Sequence, residues 1–349
     1  MKNWALVAFA SLFAVMAMPV SAHADSQLQG LIPNGFHFTQ ANSPYVVSDT
    51  LRIDTNSVVT VEAGVKIIAP AGKPLFWNLG TLNIDGIKGN EAVVQGSGGG
   101  LVKLTNAPKG VAVNISHALI IQSGPVLVDI PGSNEYLDFS LSDSELSASP
   151  ISAWYPRTFS VTRNVFLNGG GIVLGFDERV SKNHATVNNN LFIGNGTVLP
   201  QYGAAKPVWL SSWAAYGEPI QATGNTFSGL TANAICDTID GITNASGNFW
   251  GTTDAAKIQS FVLDKNDSFD FKRIIDVSAP LIASTPQTPS ESILLAQKAA
   301  ADAKAAADAK AAAYAKAKAV SAIICVKGKA NKKVVGKAPK CPIGYKLQH

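Results

Sequence analysis

The feature that most constrains the fold of this 349-residue chain is a six-residue pattern that recurs along its middle. A small apolar residue is followed by two polar or small residues, an asparagine, any residue and an aromatic. The closing residues, at positions 120, 146, 166, 192, 227 and 250, are separated by 26 residues on average. Recurrence at this period predicts a solenoid, in which each unit packs only against its neighbours. The copies are Val161–Phe166, Val187–Phe192, Ala222–Phe227 and Ala245–Trp250, with weaker ones at Leu141–Leu146 and Ile115–Ile120.

The composition of the repeats favours strands over helices. They are rich in Val, Ile, Thr, Asn, Gly and Ser, and short alternating runs such as Thr81–Asp85 are typical of strands. A unit of this length with three short strands predicts an all-β parallel β-helix. We expect asparagine at the bend between two strands, because it tolerates left-handed backbone, and we expect the aromatic two places later to point inward. The ladder asparagines would be Asn164, Asn190, Asn225 and Asn248.

Two longer segments carry a resemblance to a known family. Residues 51–86, with a Val-Glu-x-Gly-Val turn followed by a Gly-Thr-Leu strand, resemble the first coils of secreted proteins of the pectin-lyase-like superfamily. Residues 247–281, which open with Asn-x-Trp-Gly, resemble the last coil and capping segment of such proteins. The resemblance implies a right-handed, single-stranded parallel β-helix over roughly residues 30 to 283. It predicts the fold and leaves the activity open, because one scaffold hosts many functions.

The N-terminus predicts export. Lys2, an apolar run from Trp4 to Val20 and the small residues of Ala22-x-Ala24 form a secretory signal peptide over residues 1–24. Cleavage after Ala22 is the alternative site, and a membrane anchor is the alternative interpretation of the apolar run. We expect no transmembrane segment after cleavage, and a secreted, cell-envelope-associated protein.

Charge and composition divide the mature chain into four parts. Residues 25–282 carry 15 Lys and Arg against 21 Asp and Glu, whereas residues 283–349 carry 12 against 3. The predicted β-helix domain spans 25–283, and a Pro/Ser linker spans 284–294. The segment 295–320 is rich in alanine, with lysines that spiral around a helix, which predicts a helical spacer and less readily a coiled coil. Residues 321–349 form a basic tail.

The tail carries two cysteines and seven lysines without an acid. In an exported protein, Cys325 and Cys341 predict a disulfide-stapled hairpin, and Cys236 is expected to be a small buried residue of a coil. The tail sequence resembles C-terminal tails of exported actinobacterial proteins, which suggests an attachment module. Its expected partner is an anionic cell-envelope polymer or lipid headgroup, and nucleic acid is not expected, since an exported protein rarely meets it.

Catalytic motifs are sparse. Hydrolases of this superfamily carry signals that resemble Asn-x-Asp, Asp-Asp, Gly-His-Gly and Arg-x-Lys, of which only Asn83-Ile84-Asp85 occurs here. A calcium-dependent lyase signal is also missing. Other carboxylate pairs are Asp177 with Glu178, and Asp143 with Glu145, the latter two able to share an outward strand face. No histidine has metal-ligand spacing, so no catalytic residue, metal or cofactor is predicted.

One insertion interrupts the repeat between Phe192 and Phe227. Long insertions on a solenoid project from one face and often bind ligands. Exposed aromatics there would form a flat platform for sugar rings. The alternative is that Trp209 and Trp213 pack inward. The predicted carbohydrate-binding residues are Tyr202, Trp209, Trp213 and Tyr216.

These features predict an exported, non-catalytic protein that acts as a surface, adhesion or carbohydrate-binding module. The alternative is a polysaccharide lyase or glycoside hydrolase with an atypical active site. Geometry discriminates the two, because an enzyme needs carboxylates, or carboxylates with Arg or Lys, that converge on one outward sheet. A binding or structural protein would present Asn, Ser and Thr there, with scattered charges.

Overall fold

The computed structural model describes residues 26–96, 98–104, 108, 110–121, 124–129, 137–154, 156–167, 169–175, 184–196, 208–213, 220–237, 243–267, 269, 274–289, 321–336 and 340–348. The predicted signal peptide and the predicted alanine-rich helix lie outside these ranges. Within them, no helix has the length and apolar character needed to span a bilayer.

Short strands make up most of the described chain. Up to residue 129 they are β1 (Ser26–Ile32), β2 (Phe36–Phe38), β3 (Tyr45–Ile53), β4 (Val58–Glu62), β5 (Lys66–Ile68), β6 (Phe76–Asn78), β7 (Thr81–Asp85), β8 (Ala92–Gln95), β9 (Val102–Leu104), β10 (Ala112–Ser116), β11 (Ala118–Ile121) and β12 (Leu127–Asp129). A 3₁₀ turn at Gln40–Asn42 separates β2 from β3.

The strands continue to the C-terminus with a single described α-helix, α1 (Ala255–Gln259), whose N-cap is Asp254. They are β13 (Asp138–Ser142), β14 (Glu145–Ser147), β15 (Ile151–Trp154), β16 (Thr158–Thr162), β17 (Val165–Leu167), β18 (Ile172–Gly175), β19 (His184–Asn188), β20 (Leu191–Ile193), β21 (Leu210–Trp213), β22 (Ile220–Gln221), β23 (Thr226–Ser228), β24 (Ile235–Asp237), β25 (Thr243–Asn244), β26 (Val262–Leu263), β27 (Ser321–Lys327), β28 (Ala330–Gly336) and β29 (Lys346–Leu347).

The first 26 strands form three parallel stacks. Stack one is a nine-stranded sheet of β2, β4, β7, β10, β13, β16, β19, β22 and β25. Stack two (β5, β8, β11, β14, β17, β20 and β23) and stack three (β6, β9, β12, β15, β18, β21, β24 and β26) are joined through the long strands β1 and β3. The chain visits the stacks in turn, so each strand pairs with its counterpart one coil later. This all-β arrangement of parallel sheets is consistent with a β-helix-like solenoid.

The closing residues of the repeat form one buried column, as the pattern predicts. Phe166, Phe192, Phe227 and Trp250 are almost completely buried, together with Ile120 and Leu146. Their rings stack with centroids 4.8 Å apart for Phe166–Phe192, 5.1 Å for Phe192–Phe227 and 4.6 Å for Phe227–Trp250. The predicted inward position of Val161 and Val187 is likewise confirmed.

The predicted asparagine ladder is present at the corner between stacks one and two, and all four of its members are buried. Each backbone N–H donates to the Oδ1 of the next coil's asparagine, at 2.9 Å from Asn164 to Asn190 and 2.7 Å from Asn225 to Asn248. Ser144 extends the ladder by one coil, since Ala118 N donates to its Oγ at 3.0 Å. The ladder satisfies buried backbone groups where the chain bends.

We expected the ladder asparagines themselves to have left-handed backbone, and this expectation is wrong. The left-handed position falls on the residue before each asparagine: Arg163 and Asn189 have φ of 57° and 56°, and glycines stand there in the next two coils. The bend places this residue on the outside, and the following asparagine turns inward to bind the neighbouring coil. Asparagine is therefore selected here for its amide, not for its backbone freedom.

Residues 276–288, which we call the returning segment, pack against this same corner. Gly247 N donates to Ser278 O, and Leu281 N donates to Asn248 O. Further back along the stack, Thr285 Oγ1 donates to Asn189 Oδ1 at 3.1 Å, and Thr288 Oγ1 donates to Gly224 O at 2.8 Å. The first compact unit accordingly runs to Thr288, five residues beyond the predicted end of the β-helix domain at 283.

The second unit contains a small antiparallel sheet in the strand order β28-β27-β29. Cys325 and Cys341 form a disulfide, as predicted. Cys325 is buried, although most side chains of this sheet are exposed. Cys236 is a buried thiol of β24 in the first unit.

Candidate functional site

The predicted aromatic platform in the insertion does not include Trp209. Its side chain is fully buried, with the ring centroid 5.3 Å from that of Phe192 and Nε1 donating to Gly194 O at 3.0 Å. An indole so placed fills the core of a coil and cannot stack on a sugar. Trp213 lies in β21, but its side chain falls outside the described part of the chain, as do Tyr202 and Tyr216.

Asp143 and Glu145 do not share a strand face, contrary to the expectation. Asp143 occupies the left-handed corner position with φ of 51°, and Glu145 begins β14 beyond the corner, with the ladder residue Ser144 between them. Arg163 donates to both carboxylate oxygens of Asp143, at 2.8 and 2.6 Å. These bonds hold the pKa of Asp143 below its ordinary value, which suits a structural ion pair better than a proton donor. Asp177 and Glu178 lie outside the described residues.

The Asn-x-Asp match, Asn83-Ile84-Asp85, lies in β7 of stack one. Asn83 and Asp85 point outward, and Asp85 is the last residue of the strand. Asp85 pairs in register with Glu62 on the adjacent strand, and neighbouring strands lie about 4.8 Å apart. His37 Nδ1 lies 3.2 Å from Glu62 Oε1. Partial burial raises the pKa of Asp85 above its ordinary value. This is a pair of adjacent carboxyl groups in which one binds its proton more tightly than usual.

Beyond that pair, short uncharged polar side chains form the central column of the outward face of stack one. Asn114 Nδ2 donates to Asn83 Oδ1 at 3.0 Å, and Ser140 Oγ donates to Asn114 Oδ1 at 2.8 Å. Because strand register is kept from coil to coil, these groups form one straight column. The column is Thr60, Asn83, Asn114, Ser140, Ser160, Thr186, Gln221 and Asn244.

A tryptophan stands on the outward face of stack three, in its early coils. Trp77 is the middle residue of β6; its neighbours Phe76 and Asn78 point into the core, while the indole is 37% exposed. In register beside it lie Arg52 on β3 and Lys103 on β9, so that a cation flanks the ring on each side. Arg52 Cζ lies 5.4 Å from the ring centroid, a cation–π distance.

Asp54 fixes the position of this arginine. Its Oδ1 accepts from Arg52 Nε at 3.1 Å and from Nη2 at 2.7 Å. Among the described residues, the remaining guanidinium N–H groups have no hydrogen-bond acceptor, and Lys103 is exposed. The site formed by Arg52, Trp77 and Lys103, which we call the Trp77 site, combines a flat apolar surface with two cations, one of them held in place before any ligand arrives.

The row of outward-facing residues that contains Arg52, Trp77 and Lys103 is buried in later coils. From Lys103 the register passes through Val128 to Ser152, Val173, Ser211 and Cys236, and the last four residues are buried. The row therefore changes from charged and exposed to small and buried along the stack. Of the residues that the structure describes, it is the early coils that leave stack three open to a ligand.

Sequence reasoning missed the Trp77 site because the six-residue repeat does not extend into it. Phe76-Trp77-Asn78 alternates as a strand does, but three residues do not reveal which of two aromatics faces the core. The signal that could have found it is the register shared by Arg52, Trp77 and Lys103. Their separations of 25 and 26 residues equal one coil each.

Within the described ranges, no group of three or more His, Cys, Asp or Glu side chains is arranged to hold a metal ion. Comparison of the chain with protein-family models, with curated proteins and with solved structures found no match in any of the three.

Proposed function

We propose that this chain is an exported, non-catalytic carbohydrate-binding protein of the cell envelope, and that the Trp77 site contacts the sugar. The observation that carries the proposal is an exposed indole set between Arg52 and Lys103 on an outward sheet. The proposal includes a right-handed, single-stranded β-helix of the pectin-lyase-like type. Three parallel stacks and a buried asparagine ladder support that fold.

The chemistry of the Trp77 site fits a sugar ring. One face of a pyranose presents C–H groups, which pack against an indole, while its hydroxyls remain in water. Cations on both sides add donors for hydroxyl and carboxylate oxygens, so a sugar that carries an acid group would gain most. Because the site is exposed on the outward face of a sheet, it suits one residue of an extended chain better than a small enclosed ligand.

The distribution of polar groups on stack one supports binding over catalysis. Its central column consists of Asn, Ser, Thr and Gln, and the carboxylates of Asp138 and Asp143 are held in ion pairs by Arg157 and Arg163. Scattered, paired charges are what we expect of a non-catalytic surface. The polar column also gives a long polysaccharide hydrogen-bonding groups without aromatic contacts.

The test is binding of the secreted full chain to neutral and acidic oligosaccharides on a glycan array, followed by titration of any ligand found. Losing the indole in Trp77→Ala should weaken binding about fivefold, which corresponds to about 1 kcal/mol for an aromatic contact. Trp77→Phe should retain part of the affinity, and Lys103→Gln should weaken acidic sugars more than neutral ones.

The matched control is Ile87→Ala, since Ile87 is a large exposed apolar side chain outside the site. It should leave affinity unchanged. If Trp77→Ala binds every glycan as tightly as the wild type and melts at the same temperature, the Trp77 site is not a carbohydrate site.

Export and attachment complete the proposal. The predicted signal peptide supports export, and the basic tail supports attachment to an anionic component of the envelope. We expect the full chain to sediment with the envelope of expressing cells and to be released by salt, and a chain that ends at Thr288 to remain in the medium. Equal partition of both, insensitive to salt, would contradict attachment by the tail.

A second candidate function rests on Glu62 and Asp85, the adjacent carboxyl groups at the edge of stack one. A polysaccharide lyase or glycoside hydrolase with an atypical active site would use Asp85 as the acid and the neighbouring carboxyl group of Glu62 as its partner. This function requires that the secreted chain shorten a polysaccharide, with loss of that activity in Asp85→Asn and Glu62→Gln. An unchanged chain length after incubation with every glycan that binds would leave only the binding function.

A further inference from the structure

The tail sheet exposes apolar side chains that a purely electrostatic anchor would not need. Ile324 and Val335 are 48% and 59% exposed, and Ile343 on the turn before β29 is fully exposed. The unit is small and its one buried cysteine is tied by the disulfide, so the protein could tolerate polar residues at these surface positions. Exposed apolar groups on a small basic module indicate contact with an apolar phase.

Register places two of these side chains on one face of the sheet. Ile324 on β27 pairs with Lys333 on β28, and Val335 lies two residues from Lys333 on the same side, because strand side chains alternate. Val326 shares that face and pairs with Lys346 of β29. We call Ile324, Val326, Lys333, Val335 and Lys346 the Ile324 face. The opposite face carries the half-buried pair Ile323 and Val334 together with Cys325, Lys332 and Leu347.

The charge of the tail has a single sign. Lys327, Lys329, Lys332, Lys333, Lys340 and Lys346 are all exposed. No Asp or Glu occurs between Ser321 and His349. Basic residues within a Debye length of an anionic surface are attracted to it, and the long lysine stems allow the ammonium groups to reach headgroups while neighbouring apolar side chains enter the acyl boundary.

We propose that the Ile324 face binds the surface of an anionic lipid bilayer, with Ile324 and Val335 inserted at the headgroup boundary and Lys333 and Lys346 on lipid phosphates. The inference rests on the attachment role proposed above for the tail and names its partner. Lipid is favoured over an anionic polymer because a hydrated polymer offers no apolar phase for the exposed isoleucine and valine. Modest apolar insertion combined with several lysines is the usual composition of an interfacial anchor.

The experiment measures co-sedimentation of the full secreted chain with vesicles of phosphatidylglycerol and phosphatidylcholine, with vesicles of phosphatidylcholine alone, and its binding to poly-L-glutamate. The wild type should bind the anionic vesicles and the polymer but not the neutral vesicles. Ile324→Thr combined with Val335→Thr keeps every charge and the preference for strands. It should weaken vesicle binding about tenfold and leave polymer binding within about twofold. Lys333→Gln combined with Lys346→Gln should weaken both.

Leu347→Thr is the matched control, because this side chain is 44% exposed on the opposite face of the same sheet. It should change vesicle binding by less than about twofold, and titration of free thiols should show an intact disulfide in every variant. Loss as large as that of the Ile324 and Val335 variant would overturn the assignment to this face.

The remaining outcomes separate the two proposals. If the wild type binds the polymer but not anionic vesicles, or if the Ile324 and Val335 variant binds vesicles as the wild type does, the lipid inference is wrong while electrostatic attachment stands. If the wild type binds neither vesicles nor polymer, the proposed attachment role itself is wrong.

Discussion

Replacement of Asn190 by alanine removes a rung from the middle of the ladder. Its side chain makes four hydrogen bonds: Oδ1 accepts from the backbone N and the Nδ2 of Asn164, and Nδ2 donates to Val161 O and to Asn225 Oδ1. After the change, Asn164 Nδ2 still donates to Leu141 O, but the buried backbone N–H of Asn164 loses its acceptor. An unsatisfied buried donor costs about 1–3 kcal/mol and each of the other three lost bonds about 1 kcal/mol, so we expect a loss of about 4–6 kcal/mol.

Serine should restore part of this loss, because Ser144 already occupies a ladder position. Its Oγ accepts from Ala118 N at 3.0 Å and donates to Ser142 O at 2.7 Å. Asn190→Ser therefore gives the backbone N–H of Asn164 an acceptor again, and we expect it to cost about half as much as Asn190→Ala. Asn114→Ala, on the partly exposed column of stack one, is the control and should cost less than about 1 kcal/mol.

The assay is urea unfolding followed by tryptophan fluorescence, which reports on the first compact unit because no tryptophan follows Trp250. Unchanged slopes of the unfolding curves would allow the midpoints to be compared as free energies. A cost for Asn190→Ala no greater than that of Asn114→Ala would refute the reasoning. So would a serine variant no more stable than the alanine variant.

Three further predictions concern the core, the cysteines and one ion pair. Phe192→Ala should cost about 3–5 kcal/mol in the same assay, since the ring stacks between two others in the buried column, and a loss under about 1 kcal/mol would contradict that packing. Thiol titration of the unreduced, unfolded protein should detect one reactive group, that of Cys236; none or three would contradict the disulfide assignment. Arg163 lowers the pKa of Asp143, so the stability that this pair contributes is complete above the ordinary carboxyl pKa of about 4 and is lost as the pH falls through the lower folded value. Asp143→Asn should therefore be less stable than the wild type by up to about 1 kcal/mol at neutral pH, with the difference fading below about pH 4, whereas a difference that grows in acid would show the sign to be wrong.

The repeating parts of the fold could be predicted from the sequence, because the same type of residue recurs at the same position of the repeat in several coils. Phe166, Phe192 and Phe227 share one place in the pattern, so their burial follows from strand alternation, and the ladder asparagines follow from their constant offset. The left-handed residue was assigned one position too late. In two of the four coils, polar residues fill both corner positions, and only the backbone shows which of the two has left-handed φ.

The candidate site was less predictable, because its parts do not repeat. Trp209 was expected in an exposed platform, yet it packs beside Phe192, and the sequence of a long insertion does not reveal where the chain re-enters the coil. The Trp77 site includes two residues that each lie one coil away from the tryptophan, so it can be recognised only once the strand register is known. The Ile324 face likewise arises from pairing between strands, which spacing alone does not determine.

The returning segment has a mechanical consequence. Its last contact among the described residues is between Thr288 and Gly224, which belongs to an earlier coil than Asn248, so this part of the segment lies beside the stack and not beyond its final coil. A pull on the C-terminal side would load the contacts of Thr288, Thr285 and Leu281 one after another before it reached the last coil. Bonds loaded singly break at lower force than bonds loaded together. The segment would therefore detach at low tension and lengthen the connection between the two compact units, while the sheets that carry the Trp77 site remain folded.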